Sequence, residues 1–344
     1  MQNRGAPPDP TAGDGAPASN ARRLTITNAD LDAAQRWLHA VDQARPDLTR
    51  APSRPSYKRG IEVIVPDKLR LVVARALIEF HRAHRRKPDL LTYPGFCDRY
   101  FELKFFGYVP MPPNPADKLT MLAFVPPELR DQVQEPKRPW MSQTTELPTD
   151  DQIAPGTYYL KRSLGNNDYA HIRWPLAPAD RNKLQPYLER WLTVPYGVHW
   201  GEWWYGISEN RIFLEEDLTE RLRGHPEWRV YVRRGEPRLI NLIVQDEEKS
   251  RNTNVQRWFD ADLRPLNGVT TGRRQGNFLP PPYARTYLKV AAGIGRPFDL
   301  VRIDFLDVGD ERPMLSEITV CDYNARRRFD PPEFEHVARD ILFG

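Results

Sequence analysis

The run VRIDFLDVGDERPMLSEITV, from Val301 to Val320, constrains the fold more than any other stretch. Its two halves alternate with the period of strands, and the polar, glycine-containing middle is a turn. With that turn centred on Asp310 and Glu311, antiparallel pairing sets Asp304 opposite Glu317, Arg302 opposite Thr319, Ile303 opposite Ile318 and Val301 opposite Val320. One face is then an aliphatic ladder. The other brings two carboxylates together beside an arginine. Like charges directly across a ladder destabilise it, and a hard cation held by oxygen ligands would compensate them. A hairpin with a solvated acidic face is the alternative.

The 344 residues suffice for two or three packed subdomains, and the aromatic content argues for folded globular structure. A formal net charge of +4, with acids and bases interspersed, argues against a dedicated nucleic-acid surface and leaves room for a nucleotide. Cys97 and Cys321 lie far apart with no CxxC partner, which excludes a disulfide framework and a zinc motif by spacing. The chain has no apolar run of membrane-spanning length and no signal-peptide core, so a soluble cytoplasmic protein is expected. Residues 1–22, rich in Pro, Gly, Ala and Asp, read as a disordered tail.

An amphipathic helix is expected from Thr27 or Asn28, with Leu31, Ala34, Trp37, Leu38 and Val41 on its apolar stripe. A second follows in DKLRLVVARALIEFHRAHRRKP, where His81 and His84 sit among arginines as a solvated, positive helix end rather than a metal site. From Thr92 to Met141 the chain reads as irregular, with Pro115-Ala116-Asp117 entering a helix. Strand patterns recur in GTYYLKRS, RIFLEED, WRVYVRRG, PRLINLIVQ and VQRWFDADL before the opening hairpin. Helical stretches PADRNKLQPYLERWL and PPPYARTYLKVAAGI intervene. This order predicts an α+β fold rather than a doubly wound sheet, and neither a P-loop nor a dinucleotide fingerprint is present.

Several segments carry candidate chemistry. Lys161 ends a strand before a loop holding Gly165, where an ammonium and backbone N–H groups can meet phosphate oxygens; an ordinary surface lysine is the alternative. Glu215, Glu216 and Asp217 follow an apolar strand, as a base-and-ribose contact or as an acidic helix start. Arg229, Tyr231 and Arg233 share one strand face, which either meets phosphate or is solvated. The aromatic knot VHWGEWWYGI is explained by packing. Arg326, Arg327 and Arg328 form either an anchor for an acidic substrate or an exposed basic turn.

Taken in order from about Pro94 onward, these pieces resemble the ATP-grasp enzymes, and within them the TupA-like branch associated with teichuronopeptide and surface-polysaccharide biosynthesis. The carrying motifs are NPADKL with Lys118, YYLKRSLGNN with Lys161 and Gly165, EWWYGISENRIFLEEDL, EWRVYVRRGEP, VRIDFL and SEIT. The resemblance implies an α+β ATP-grasp fold with two subdomains clasping ATP. The implied first subdomain covers 116–210 and carries the phosphate loop. The second covers 211–344 and carries adenine hinge and magnesium hairpin, with a helical or irregular region over 23–115 in front. By resemblance Lys118 and Lys161 hold phosphates beside Gly165, and Glu215, Glu216 and Leu218 line the hinge. Asp304, Glu317 and Thr319 hold Mg2+, while Arg302 and Arg229 face the γ-phosphoryl group. Arg229 stands where the branch has lysine, and the run after Glu317, VCDYNARRRF, lacks the branch's glycines.

The implied activity is an ADP-forming carboxylate–amine ligase that works through an acyl phosphate. Its substrate would be a small molecule, peptide or saccharide. A kinase acting on a hydroxyl, and a nucleotide- or carbohydrate-binding module without turnover, are the alternatives.

Overall fold

The computed structural model describes residues 26–44, 69–108, 112–244 and 254–344, so the expected tail over 1–22 lies outside the described residues. The chain is an α+β protein built on two sheets. The smaller sheet has four strands, β1 (Trp140–Ser142), β2 (Gly156–Arg162), β3 (Tyr169–Trp174) and β4 (Ile212–Glu216), in the order β1-β4-β2-β3. Helix α4 (Pro178–Thr193) lies on it, and Leu184, Leu188 and Trp191 pack with Leu160, Ile172, Trp174 and Leu214 in a core of their own. Strand β4, expected with the second subdomain, pairs here between β1 and β2. Its buried, continuous apolar run carries no signal for which sheet it joins.

The larger, seven-stranded sheet runs β11-β10-β5-β6-β7-β8, with a short β9 pairing β7. Its strands are β5 (Pro226–Arg233), β6 (Glu236–Val244), β7 (Val255–Asp260), β8 (Pro265–Leu266), β9 (Arg274–Gln275), β10 (Val301–Leu306) and β11 (Met314–Thr319). Helix α5 (Ala284–Gly295) covers one face, with the Tyr287 ring 4.9 Å from Trp228 and 5.7 Å from Phe305 between centroids. The helix approaches β5 so closely that a Cβ on Gly295 would collide with Val232, which is why glycine stands there.

On the opposite face a helix reaches the sheet through Phe96, and two more helices pack behind it through Trp37 and Phe80 against Phe101. These are α1 (Asn28–Ala44), α2 (Leu69–His84) and α3 (Phe96–Glu102), the last running into a π turn over Leu103–Gly107. Thr27 caps α1 reciprocally with Asp30: the Asp30 N–H donates to Thr27 Oγ1 at 3.2 Å, and the Thr27 N–H donates to Asp30 Oδ2 at 2.9 Å. Ala34 and Leu38 of the expected stripe are buried. The α3 segment, expected to be irregular, is helical because Phe96, Tyr100 and Phe101 bury one face against Tyr231, Phe329 and Phe80. By contrast Pro115-Ala116-Asp117 opens only a turn, followed by a single 3-10 turn over Met121–Phe124. Helix α6 (Phe334–Phe343) closes the chain against α3 and the sheet.

Candidate functional site

The register of the hairpin is the one its alternation predicts. Asp304 faces Glu317, Arg302 faces Thr319 and Ile303 faces Ile318. A bulge after Asp304 leaves Ser316 unpaired, and its hydroxyl donates to the Asp304 carbonyl at 3.1 Å. The turn beyond is fixed by buried Asp307, which accepts from Trp228 Nε1 at 3.2 Å, Tyr283 OH at 2.8 Å and the Gly309 N–H at 2.9 Å. On the other side β10 pairs β5, which sets Arg229 opposite Asp304 and Tyr231 opposite Arg302.

The face is not a solvated acidic surface, because Asp304 is 3% exposed and Arg302 7%. Arg302 donates Nε and Nη2 to the two Asp304 oxygens at 2.7 and 2.6 Å, and Nη2 also reaches Thr319 Oγ1 at 3.1 Å. Its Nη1 donates to Asp322, which accepts two further hydrogen bonds from Arg327. Burial pushes the Asp304 carboxyl up to about 6, against the pull of Arg302. Burial would raise Asp322 too, but Arg327 and Arg302 outweigh it and hold that carboxyl well below the usual carboxylate range. Arg229 turns to Glu227, donating Nε at 2.7 Å.

Lys118 links this hairpin to the smaller sheet. Its Nζ donates to the Gly165 carbonyl at 2.6 Å and stands 3.8 Å from Glu317 Oε1, whose side chain is about a fifth exposed. Three segments far apart in sequence, at 118, 165 and 317, therefore meet in one ammonium. On β2 and β4, Lys161 donates to Glu215 Oε1, and Arg138 Nε donates to the other oxygen at 3.2 Å. Burial would raise Glu215, yet Lys161 and Arg138 together keep its carboxyl low. Glu216 accepts the Lys137 N–H at 2.9 Å, and Leu218 is buried beside it.

The donor set on the hairpin is oxygen throughout: the Asp304 and Glu317 carboxylates and the Thr319 hydroxyl. Such a set suits Mg2+. It fits on one condition, that Arg302 releases at least one Asp304 oxygen, since both are engaged.

No family model matches this chain, and no curated protein matches it. Among solved structures it is similar to the D-alanine–D-alanine ligase from Bacillus anthracis, at 12% identity over 67% of this chain and 66% of that one, TM-score 0.39. It is similar also to the ATP-grasp ligase PsnB complexed with a minimal precursor, at 16% identity over 60% and 52%, TM-score 0.33. A third is macrocyclase MdnC from Microcystis aeruginosa MRC, bound with precursor peptide MdnA, at 15% identity over 66% and 60%, TM-score 0.33. The chain thus spans from about half to two thirds of the length of these structures. At these scores the likeness assigns no residue and no substrate.

Two features escape the sequence pattern. Asp322 lies where β11 has ended, so no alternation points to it, although three arginines follow within six residues. Those arginines are divided: Arg327 is buried, Arg326 half-buried and Arg328 exposed. Arg327 is 5% exposed against Asp322, Arg326 pairs with Glu79 at 3.3 Å, and Arg328 donates to the Arg82 carbonyl at 2.9 Å. The turn between them holds Tyr323, Asn324 and Ala325 at φ of 48°, 55° and 59°, a left-handed conformation that costs a non-glycine residue about 1–2 kcal/mol each. Lys104, itself buried, secures that turn by donating to Asn324 Oδ1 at 2.8 Å.

Proposed function

We propose that the chain is an ATP-dependent carboxylate–amine ligase of the ATP-grasp type. The observation that carries this reading is Lys118, one ammonium in contact with both the Gly165 loop and the carboxylate opposite Asp304. A cation there, between a glycine-containing loop and paired carboxylates, suits a nucleotide whose phosphates bridge the two. In this reading Lys118 and Lys161 hold the α- and β-phosphates, and Glu215, Glu216 and Leu218 flank the base. Asp304, Glu317 and Thr319 would hold Mg2+, which when bound neutralises phosphate charge. Arg302 and Arg229 face the γ-phosphoryl group.

A substrate carboxylate oxygen attacks the γ-phosphorus and ADP leaves. An amine then attacks the acyl carbon, and inorganic phosphate leaves. The residues act by position and charge, on a partly buried face where both are worth more than in water. A role in polysaccharide or peptide-conjugate biosynthesis is the finer form of the same proposal, resting on the TupA-like motifs.

A second reading, a nucleotide-binding module without turnover, is favoured by one observation: Arg302 is engaged by Asp304 and Asp322 at once. Thermal unfolding with and without Mg2+ and ATP, on wild type and Asp304→Asn, tests the site. Saturation at about a hundred times Kd stabilises the native state by about 2.7 kcal/mol. A magnesium-dependent rise in Tm that the variant lacks is expected, and no rise in wild type sinks both readings. ADP release that depends on an added carboxylate and amine then separates ligase from module.

A further inference from the structure

Beneath the left-handed turn, on the side away from the hairpin, three helices bring His84, Cys97 and Glu335 together. One ligand-capable atom from each lies within 4.8 Å of the others. The reading of His84 as a solvated helix end holds for exposed His81 but not for His84, whose side chain is 5% exposed and whose ring lies 4.4 Å from Phe80. Burial pushes the His84 imidazole down to about 4, so it is neutral near pH 7.

Each group is oriented by its other polar atom. His84 Nε2 lies 3.2 Å from the Ala325 carbonyl, which can only accept, so Nε2 carries the proton and Nδ1 keeps a lone pair. That lone pair faces Glu335 Oε2 at 3.9 Å, beyond hydrogen-bond reach. Glu335 Oε1 is held by the Cys97 N–H at 3.2 Å and Arg86 at 3.4 Å, which leaves Oε2 to point inward. The carboxylate also packs where a side chain on residue 95 would sit, and that residue is glycine. A histidine that donates its other N–H to a backbone carbonyl, and a carboxylate held by N–H donors, are oriented as metal ligands are.

We propose that His84 Nδ1, Cys97 Sγ and Glu335 Oε2 bind one divalent cation of the zinc class. Nitrogen, thiolate and carboxylate ligands select zinc-like ions over Mg2+. Charge agrees. Asp98, fully buried, and Glu335 share the guanidinium of Arg86, which binds Asp98 at 2.5 and 2.7 Å, so these three groups carry one negative charge in excess. A dication, on binding, replaces the thiol proton of Cys97 and brings the sum to neutrality. Tetrahedral zinc sites space their ligands about 3.4 Å apart, so each side chain moves by about 1 Å or less. The cation enters from the side of Glu335, 16% exposed. Through the His84 Nε2 hydrogen bond to the Ala325 carbonyl, it would brace the turn that leads to Arg327. This site stands apart from the nucleotide reading, and either can fail alone.

The test is titration of the EDTA-treated full chain with Co2+, followed by Zn2+. Expected is a near-ultraviolet thiolate-to-cobalt charge-transfer band that saturates at one equivalent and is displaced by Zn2+. Cys97→Ser should abolish the band, and Glu335→Gln, which removes a direct ligand, should weaken binding by at least the roughly tenfold that losing a supporting partner costs. Circular dichroism confirms that both variants fold. No band in wild type overturns the proposal, as does a band that survives Cys97→Ser, which would assign the thiolate to Cys321.

Discussion

The two sheets treat their charges differently. On the smaller sheet Lys161 is 26% exposed and shares Glu215 with Arg138, so its ammonium can turn toward an incoming phosphate while Glu215 keeps a partner. On the larger sheet Arg327, Asp322, Arg302 and Asp304 form one buried chain of alternating sign, with Asp322 fully enclosed. The partly exposed Lys161 ammonium can leave buried Glu215 at small cost because Arg138 stays behind, whereas in a chain buried throughout the loss of one member strands its neighbours without water. The first arrangement suits binding, and the second holds a geometry.

The sharpest way to break this contrast is Asp322→Asn. It leaves Arg302 and Arg327 facing a neutral amide, and a loss of about 3–5 kcal/mol is expected from urea unfolding. A loss under about 1 kcal/mol would show that the chain is not structural. Acid gives the next effect. Asp322 has its carboxyl depressed in the native state, so its contribution is complete above about pH 4, the unfolded value, and fades as pH falls below it. Asp304, raised to about 6, acts with the opposite sign between about pH 4 and 6. Urea midpoints at pH 4 and pH 2.5 should therefore fall steeply in wild type and more gently in Asp322→Asn. Equal slopes would place the acid sensitivity elsewhere. The smallest effect belongs to the other sheet. Glu215→Gln keeps one accepting oxygen for Lys161 or Arg138 and turns an amide NH2 toward the other, and about 1–2 kcal/mol is expected. If it equals the cost of Asp322→Asn, the two sheets do not differ.

Where local alternation governs, the sequence was enough. The pairs Asp304–Glu317 and Arg302–Thr319 follow from a period of two and a turn centre, and of the two cap candidates, Thr27 and Asn28, Thr27 makes the bonds. Helices were legible in PADRNKLQPYLERWL and PPPYARTYLKVAAGI, the second of which begins only at Ala284. What was hidden depends on distance along the chain. YAHIRW is as good a strand as its neighbours, yet it stood unmarked after a polar loop, and the burial of Ala170, Ile172 and Trp174 under α4 decides it. Arg302 drew its phosphate role from resemblance alone, and its second partner, Asp322, lies twenty residues on, beyond any strand period. Cys97 lacked a neighbouring cysteine, and its companions at 84 and 335 arrive only through the packing of helices.

Lys118 has a consequence of its own. Its two contacts, to a carbonyl on the loop of one sheet and a carboxylate on the other, are made by a single atom. If the cleft opens, the ammonium can follow only one wall. If it stays with the loop, Glu317 is left without its positive neighbour, and a carboxylate attracts cations more strongly as that neighbour recedes. A change of shape thereby becomes a change of local potential at Glu317, transmitted by one side chain.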